Sequence, residues 1–422
     1  MIVLRRWAVS RRLVELSQGG RGQVLMVLSA RIINAVVGMV FVLLTARHLG
    51  PTGRGEIAVA FVVAYITCNI AGLGTYTSGR VHLLDRDSEV NASDVFSLTL
   101  ALVPLQVMLT ASVVSVLSRS WLHLPFGFSL SVVGLSVATM LLRSAVAILY
   151  GLRRYRVVMV AELVVAVGKV VVLTVLLVRG YLTATSAVIT MAVGSAFLGA
   201  LLVGRPGVFH WVGWTELTTH WRLLVVDGVS PMLGAVSHFA TLRLDRLILV
   251  ATAGAYSVGI YTIALAIPEM LRIIPQGFGQ VIADRGRSGT DSVSVVRLRG
   301  RLVVIGHIAT LAIAATIGFV FLPFVFGEGF AEARGVLVIV TVAELFLSIH
   351  LMQQVLLVGF SRHRGIGVPQ VVGGVVMVAL NFVMIPTWGI FGAAWACLIG
   401  YGALAGTSVL WTHRELKLVG VL

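Results

Sequence analysis

The chain has 422 residues, of which 58% are hydrophobic and only 12% charged. A soluble domain of this size carries roughly a quarter charged residues, so that class is excluded. A membrane β-barrel is excluded too, because alternating segments of about ten residues are absent. The net charge of +15 does not mark a nucleic-acid binder, since the arginines punctuate long apolar runs. Cys68 and Cys397 both lie in apolar segments without CxxC spacing, so neither a disulfide framework nor a metal site is expected.

Residues 1–22 interleave Arg5, Arg6, Arg11, Arg12 and Arg21 with Leu4, Trp7, Leu13, Val14 and Leu16. Two readings stand side by side: a basic amphipathic helix on the membrane surface, or a solvated basic tail that sets topology. The first apolar run is too long for a cleavable signal and has no small-residue cleavage site after it.

Twelve apolar segments follow, at 23–46, 56–78, 94–118, 124–149, 157–178, 182–204, 225–251, 256–282, 301–326, 332–358, 366–386 and 389–411. Each is near the roughly 20 residues that span a bilayer as a helix. With a cytoplasmic N-terminus, the cytoplasmic segments hold 21 Arg and Lys and the opposite face holds 4. That asymmetry predicts a multi-pass membrane protein with both termini in the cytoplasm. The expected loops are short, the longest 205–222 and 284–301, and none houses a soluble catalytic domain.

An internal repeat is visible. Displaced by 204 residues, ARHLGPTGRGEIAVA (46–60) lies over VATAGAYSVGIYTIA (250–264), pairing Gly50 with Gly254 and Gly55 with Gly259. Displaced by 208, LYGLRRYR (149–156) lies over LVGFSRHR (357–364), and at 209 Gly180 meets Gly389. The displacement covers six helices, an even number, so the copies share one orientation. The predicted fold is therefore an all-α integral membrane protein of 12 transmembrane helices, in two six-helix lobes related by a parallel repeat. The lobes are assigned to 23–210 and 211–422, joined near Pro206. Pro104, Pro231, Pro268 and Pro275 lie inside spans and are expected to bend or break them.

Four stretches carry a family resemblance: ARHLGPTGRGE (46–56), LDRLILVATAGAYSVGIYTIA (244–264), LPFVFGEGFAEARGVLVIV (322–340) and LNFVMIPTWGIFGAAWA (380–396). With the helix count they make the chain resemble the polysaccharide transporter branch of the multidrug/oligosaccharidyl-lipid/polysaccharide exporter superfamily, which includes O-antigen flippases. The resemblance implies flipping of a polyprenyl-pyrophosphate-linked oligosaccharide for cell-surface polysaccharide biosynthesis, by alternating access. It implies as partners that lipid-linked oligosaccharide, membrane lipids, a polysaccharide polymerase and glycosyltransferases. No nucleic acid, cofactor or metal is expected, and the chain is expected not to be an enzyme. A cation-coupled multidrug exporter and a membrane-embedded glycan-modifying enzyme are the alternatives.

Ionisable groups inside spans are costly and mark candidate function. Arg31 lies in the first span, Arg143 in the fourth, and Glu162 and Lys169 in the fifth. Arg243, Asp245 and Arg246 lie in the seventh, Glu269 and Arg272 in the eighth, and Glu344 in the tenth. A guanidinium fork suits phosphate oxygens. The first, seventh and eighth spans resemble cavity-lining helices of the superfamily, which makes Arg31, Arg243 and Arg272 the candidates for pyrophosphate. Glu162, Lys169, Asp245, Arg246 and Glu269 are candidate coupling or cavity charges. The competing reading is structural pairing. Glu269 and Arg272 are spaced to pair along one helix, Asp245 is expected to pair across helices, and Arg143 is expected to snorkel to the nearer interface.

Overall fold

In a computed structural model of the chain, residues 20–85, 87–119, 124–203, 214–287, 292–359 and 364–417 are described. Among them the only regular structure is helical. In chain order the helices are α1 (Gly20–Ala71), α2 (Thr75–Leu84), α3 (Ala92–Leu117), α4 (Phe126–Gly151), α5 (Tyr155–Val178) and α6 (Ala184–Val203). They continue with α7 (Trp214–Leu271), α8 (Ile273–Arg287), α9 (Val293–Phe326), a 3₁₀ turn (Glu328–Phe330), α10 (Ala333–Gly359) and α11 (Arg364–Lys417).

Among the described residues, nine helical segments are long and apolar enough to cross a membrane. Three of these are 40, 64 and 50 residues long. As a straight rod the longest would reach about 96 Å, against a hydrocarbon layer of about 30 Å. None of the three is regular throughout. α1, α7 and α11 are broken at Gly50, Gly254 and Gly389, where φ is 67°, 78° and 55°. Glycine enters that region without the clash a Cβ would bring. Beyond the break in α7 the chain folds back. The Tyr261 hydroxyl donates to Asp245 Oδ2 at 2.6 Å, although sixteen residues of unbroken helix span about 24 Å. In α11 a Cβ on Gly392 would lie 1.9 Å from the Met384 carbonyl oxygen, so this segment folds back as well. In α1, Pro51 directly follows the break. It occupies the first helical position, where its missing N–H removes no bond.

The breaks at Gly50 and Gly254 share one backbone conformation, with ψ of −171° and 177°. They also face each other. A Cβ on Gly55 would lie 1.8 Å from the Ala255 carbonyl oxygen, and a Cβ on Gly259 would lie 1.8 Å from the Pro51 carbonyl oxygen. The 204-residue displacement carries Pro51 to Ala255 and Gly55 to Gly259, so these are one contact seen from its two sides.

Helices α1–α6 pack among themselves, as do α7–α11, and α1 against α7 is the broadest helix pairing among the described residues. The main apolar core gathers around the broken ends, drawing Ala46, Ile57, Leu249, Tyr261, Val336 and Ala393 together. A second, polar seam joins the two groups farther along α7. Ser78 Oγ donates to the Leu224 carbonyl at 2.7 Å, and His82 and Asp227 are hydrogen-bonded at 2.9 Å. His220 and Asp94 are hydrogen-bonded at 2.8 Å. Gly74 approaches Gly228 as closely as the paired glycines approach their carbonyls.

Several expected boundaries are corrected. The loop expected at 205–222 is helical from Trp214, and that at 284–301 is helical through Arg287 and again from Val293. The loop expected at 79–93 begins only after Leu84, and the tail after 412 is helical to Lys417. In each case the polar, basic stretch belongs to a helix that runs on past its apolar part. The span expected as one piece over 256–282 is interrupted at Arg272, between α7 and α8. Pro275 has no N–H for the Leu271 carbonyl, which accounts for the interruption. Pro104, Pro231 and Pro268 are accommodated inside α3 and α7. Most of the amphipathic segment expected at 1–22 lies outside the described residues.

The reciprocal glycine contact leaves no room for a side chain, because the opposing atom is backbone. Gly55→Val and Gly259→Val are each expected to destabilise the folded protein by about 1–3 kcal/mol. Gly134→Ala and Gly168→Ala, where the added carbon meets nothing within 4 Å, should be nearly neutral. Thermal unfolding of the purified proteins in one detergent checks this.

Candidate functional site

The charges singled out from sequence converge on the two limbs of α7 and on α10. Arg243 Nη1 and Arg246 Nη2 both reach Glu269, at 2.9 and 2.7 Å. Asp245 is 3% exposed and accepts the Tyr261 hydroxyl. It also accepts the backbone N–H of Arg246 at 2.8 Å. Arg272 grips Glu344 with two donors, Nε to Oε2 at 3.0 Å and Nη2 to Oε1. Arg272 is 8% exposed and Glu344 1%, so each charge depends on the other for solvation.

This arrangement corrects the expected pairing of Glu269 with Arg272. Glu269 turns to the first limb of α7, and Arg272 turns to α10. The fold-back at Gly254 explains the difference: it brings Arg243 and Arg246 within reach of Glu269. The expectation that Asp245 pairs away from its own helical run is met only across the break, by Tyr261.

Arg143 is also placed differently from expectation. Its Nη1 donates to Asn69 Oδ1 at 2.9 Å. Its guanidinium lies 4.7 Å from the ring centroid of Tyr65 and 5.1 Å from that of Tyr76. Tyr65 in turn stacks on Phe239 of α7, with ring centroids 5.2 Å apart. Arg143 therefore does not snorkel. It is held at the seam between α1 and α7 by an amide and two aromatic faces, and no carboxylate pairs with it among the described residues. The sequence held a clue. Arg143 is eight residues, or about 12 Å of helix, from the end of α4, with Tyr65, Asn69 and Tyr76 on the facing segment.

Beside Arg143 the first helix group carries a neutral polar network that sequence reasoning missed. Gln106 donates to Thr67 at 3.0 Å, and the Thr110 hydroxyl oxygen lies 3.0 Å from that of Thr67 and 2.9 Å from that of Ser136, sharing its one proton with one of them at a time. Gln106 and Thr110 lie four residues apart on α3, a spacing that puts them on one face. In the second group a small cavity of about 30 Å³ opens beside Arg272, lined among others by His238, Thr241, Gln276, His350 and Gln370. His350 is hydrogen-bonded to Ser408. His307 is fully buried, and neither ring nitrogen has a partner.

The remaining candidates sit apart. Lys169 on α5 reaches Ser195 of α6 at 3.4 Å, and Glu162 is half-buried on the same helix. Arg31 lies on α1, with its side chain outside the described residues. Arg243, Asp245, Arg246, Glu269 and Arg272 are brought together; Glu162 and Lys169 do not join them. Among the described residues, no three His, Cys, Asp or Glu side chains group as metal ligands would.

No protein-family profile matches the chain, and no curated protein matches it. Solved structures do match. A MOP superfamily transporter from Pyrococcus furiosus superposes with a TM-score of 0.65 over 96% of this chain and 98% of that one, at 15% identity. A MATE-family multidrug resistance transporter in its inward-facing conformation gives 0.66 over 94% and 99%, also at 15% identity. The lipid II flippase MurJ, in an inward closed conformation, gives 0.70 over 93% and 87%, at 12% identity. At this level of identity the likeness is one of fold: the chain folds as these three solved proteins do. Among the described residues Arg243 and Arg246 share Glu269, with Asp245 beside them.

The Arg272–Glu344 pair yields a double-mutant prediction. Glu344→Gln strands a buried guanidinium and is expected to cost about 3–5 kcal/mol. The double variant Arg272→Met with Glu344→Leu should recover most of that loss. Unfolding midpoints of the two variants and the parent decide it.

Proposed function

We propose that this chain is a flippase for a polyprenyl-pyrophosphate-linked oligosaccharide. It would carry that cargo across the cytoplasmic membrane for cell-surface polysaccharide assembly and would perform no covalent chemistry. Each broken segment counts as two membrane passes in this reading, which gives twelve passes in two six-helix lobes with both termini cytoplasmic. The shared conformation of Gly50 and Gly254 and their reciprocal contacts support a parallel repeat of the two lobes. The membrane segments and the MOP fold support a transporter.

The observation that carries the choice of cargo is Arg143 at the seam, which has aromatic and amide partners in place of a carboxylate. An unneutralised guanidinium in a membrane interior is costly to maintain, and an anionic headgroup entering the seam offsets that cost. Arg143 and Arg243 are assigned to the pyrophosphate, with Arg31 on the same side of the sequence argument. Arg272, held by Glu344, keeps α8 against α10 and faces the polar cavity of His238, Gln276 and His350. A cationic drug would meet repulsion along this path. Alternating access would separate Pro51 and Gly55 from Ala255 and Gly259 on one side, and His82 and His220 from Asp227 and Asp94 on the other.

Reconstitution into vesicles containing a defined lipid-linked oligosaccharide tests the proposal. The parent protein is expected to move the headgroup between leaflets. Arg143→Gln at matched insertion should slow transfer by at least ten-fold, the loss of one charge-assisted contact of about 1.5–3 kcal/mol. Full transfer by that variant, or transport of a cationic dye with no lipid transfer by the parent, would contradict it.

A further inference from the structure

A second feature lies away from the α1–α7 seam. Helices α5 and α6 border an open groove of about 380 Å³, walled by Val157, Val160, Val164, Val165, Phe197 and Leu201, with Arg156 at one end. Its apolar walls are left uncovered: Val160 is 63% exposed, Val164 61% and Phe197 58%. From Val157 to Val165 the groove follows about 12 Å of helix. That is most of the depth of one leaflet, half of an approximately 30 Å core.

The basic end is an ordered turn. Arg153 takes a left-handed conformation, φ 57°, unusual for a residue with a Cβ. The turn is closed by Arg154 N–H to the Leu149 carbonyl at 2.8 Å and Arg153 N–H to the Tyr150 carbonyl at 3.1 Å. Arg153, Arg154 and Arg156 are all exposed. Arg80 adds a fourth cation on the same side, its guanidinium 5.4 Å from the Tyr150 ring centroid. Three arginines at a fixed turn, with Arg80 of α2 near it, above an apolar channel match a lipid whose headgroup is anionic and whose chain runs down the leaflet.

We infer that the α5–α6 groove is a binding site for an anionic glycerophospholipid, with one acyl chain along Val157–Val165 and the phosphate on the Arg153–Arg156 turn. This site is separate from the seam assigned to the cargo and holds a resident lipid that braces α5 against α6. Its occupant is recognised by charge at the headgroup, so a zwitterionic lipid with the same chains binds less well.

Native mass spectrometry of the purified full chain, delipidated and re-exposed to one lipid at a time, tests this. The probes are phosphatidylglycerol, phosphatidylethanolamine and polyprenyl phosphate. Phosphatidylglycerol is expected to be retained at least five-fold more than phosphatidylethanolamine. The combined Arg153→Gln, Arg154→Gln, Arg156→Gln variant should lose that preference. Val164→Trp, which fills the channel and leaves the turn intact, should reduce retention by a similar factor and keeps the test available if the triple variant does not fold. Equal retention of the two phospholipids, unchanged retention in either folded variant, or preferential capture of polyprenyl phosphate at this groove would overturn the inference.

Discussion

Two glycines set the geometry on which the rest depends. At Gly55 and Gly259 the backbones of α1 and α7 come together so closely that a single methyl would strike a carbonyl oxygen. Lipid tails are as apolar as leucine, so burying apolar surface does little to drive helices together inside a membrane. Close backbone approach and the dispersion contacts it allows do most of that work. The contact is reciprocal, and the chain breaks five residues before each glycine, at Gly50 and Gly254. Four residues therefore fix where two long helices turn, where they meet and how the two helix groups are related.

That geometry decides the electrostatics. Because α7 folds back at Gly254, Arg243 and Arg246 face Glu269 across the break instead of standing alone along a rod. Asp245 finds the Tyr261 hydroxyl by the same fold. Farther on, the interruption after Leu271 frees Arg272 to turn towards Glu344 on α10. The result is an asymmetry between the helix groups. The second group holds paired charges, and the first holds Arg143 against Asn69 and two tyrosine rings. Pairing stabilises a fixed arrangement, whereas an arginine held by neutral groups keeps its charge available. The proposed transport of an anionic headgroup would draw on both kinds.

Much of this was legible in the sequence, for identifiable reasons. Positive φ favours glycine, as at Gly50, Gly254 and Gly389, and the 204-residue displacement lays the first two over each other, where they share one backbone conformation. Membrane residence follows from apolar runs between arginine clusters. Helix ends were less legible. Arg285 and Arg287, and Arg297, Arg299 and Arg301, read as loop, yet they lie on α8 and α9. Charge reports where an apolar surface stops, and a helix continues beyond that point whenever its backbone bonds are made. Ion-pair partners were the least legible. The i, i+3 spacing of Glu269 and Arg272 is a local argument, and the actual partners come from a distant limb and another helix. Arg143 was misjudged for the same reason: distance along α4 was considered without the aromatic faces that α1 and α2 place beside it.

The central claim is that the seam between α1 and α7 recognises negative charge. The most direct measurement is equilibrium binding of two lipids with the same chain, a polyprenyl pyrophosphate and the corresponding neutral polyprenol, to the purified protein over a range of salt concentrations. The account predicts that the pyrophosphate binds at least ten-fold more tightly, that Arg143→Gln removes most of the difference, and that added salt weakens only the charged lipid. Equal affinity for the two lipids, or a preference that survives loss of Arg143 and Arg243 together, would contradict it.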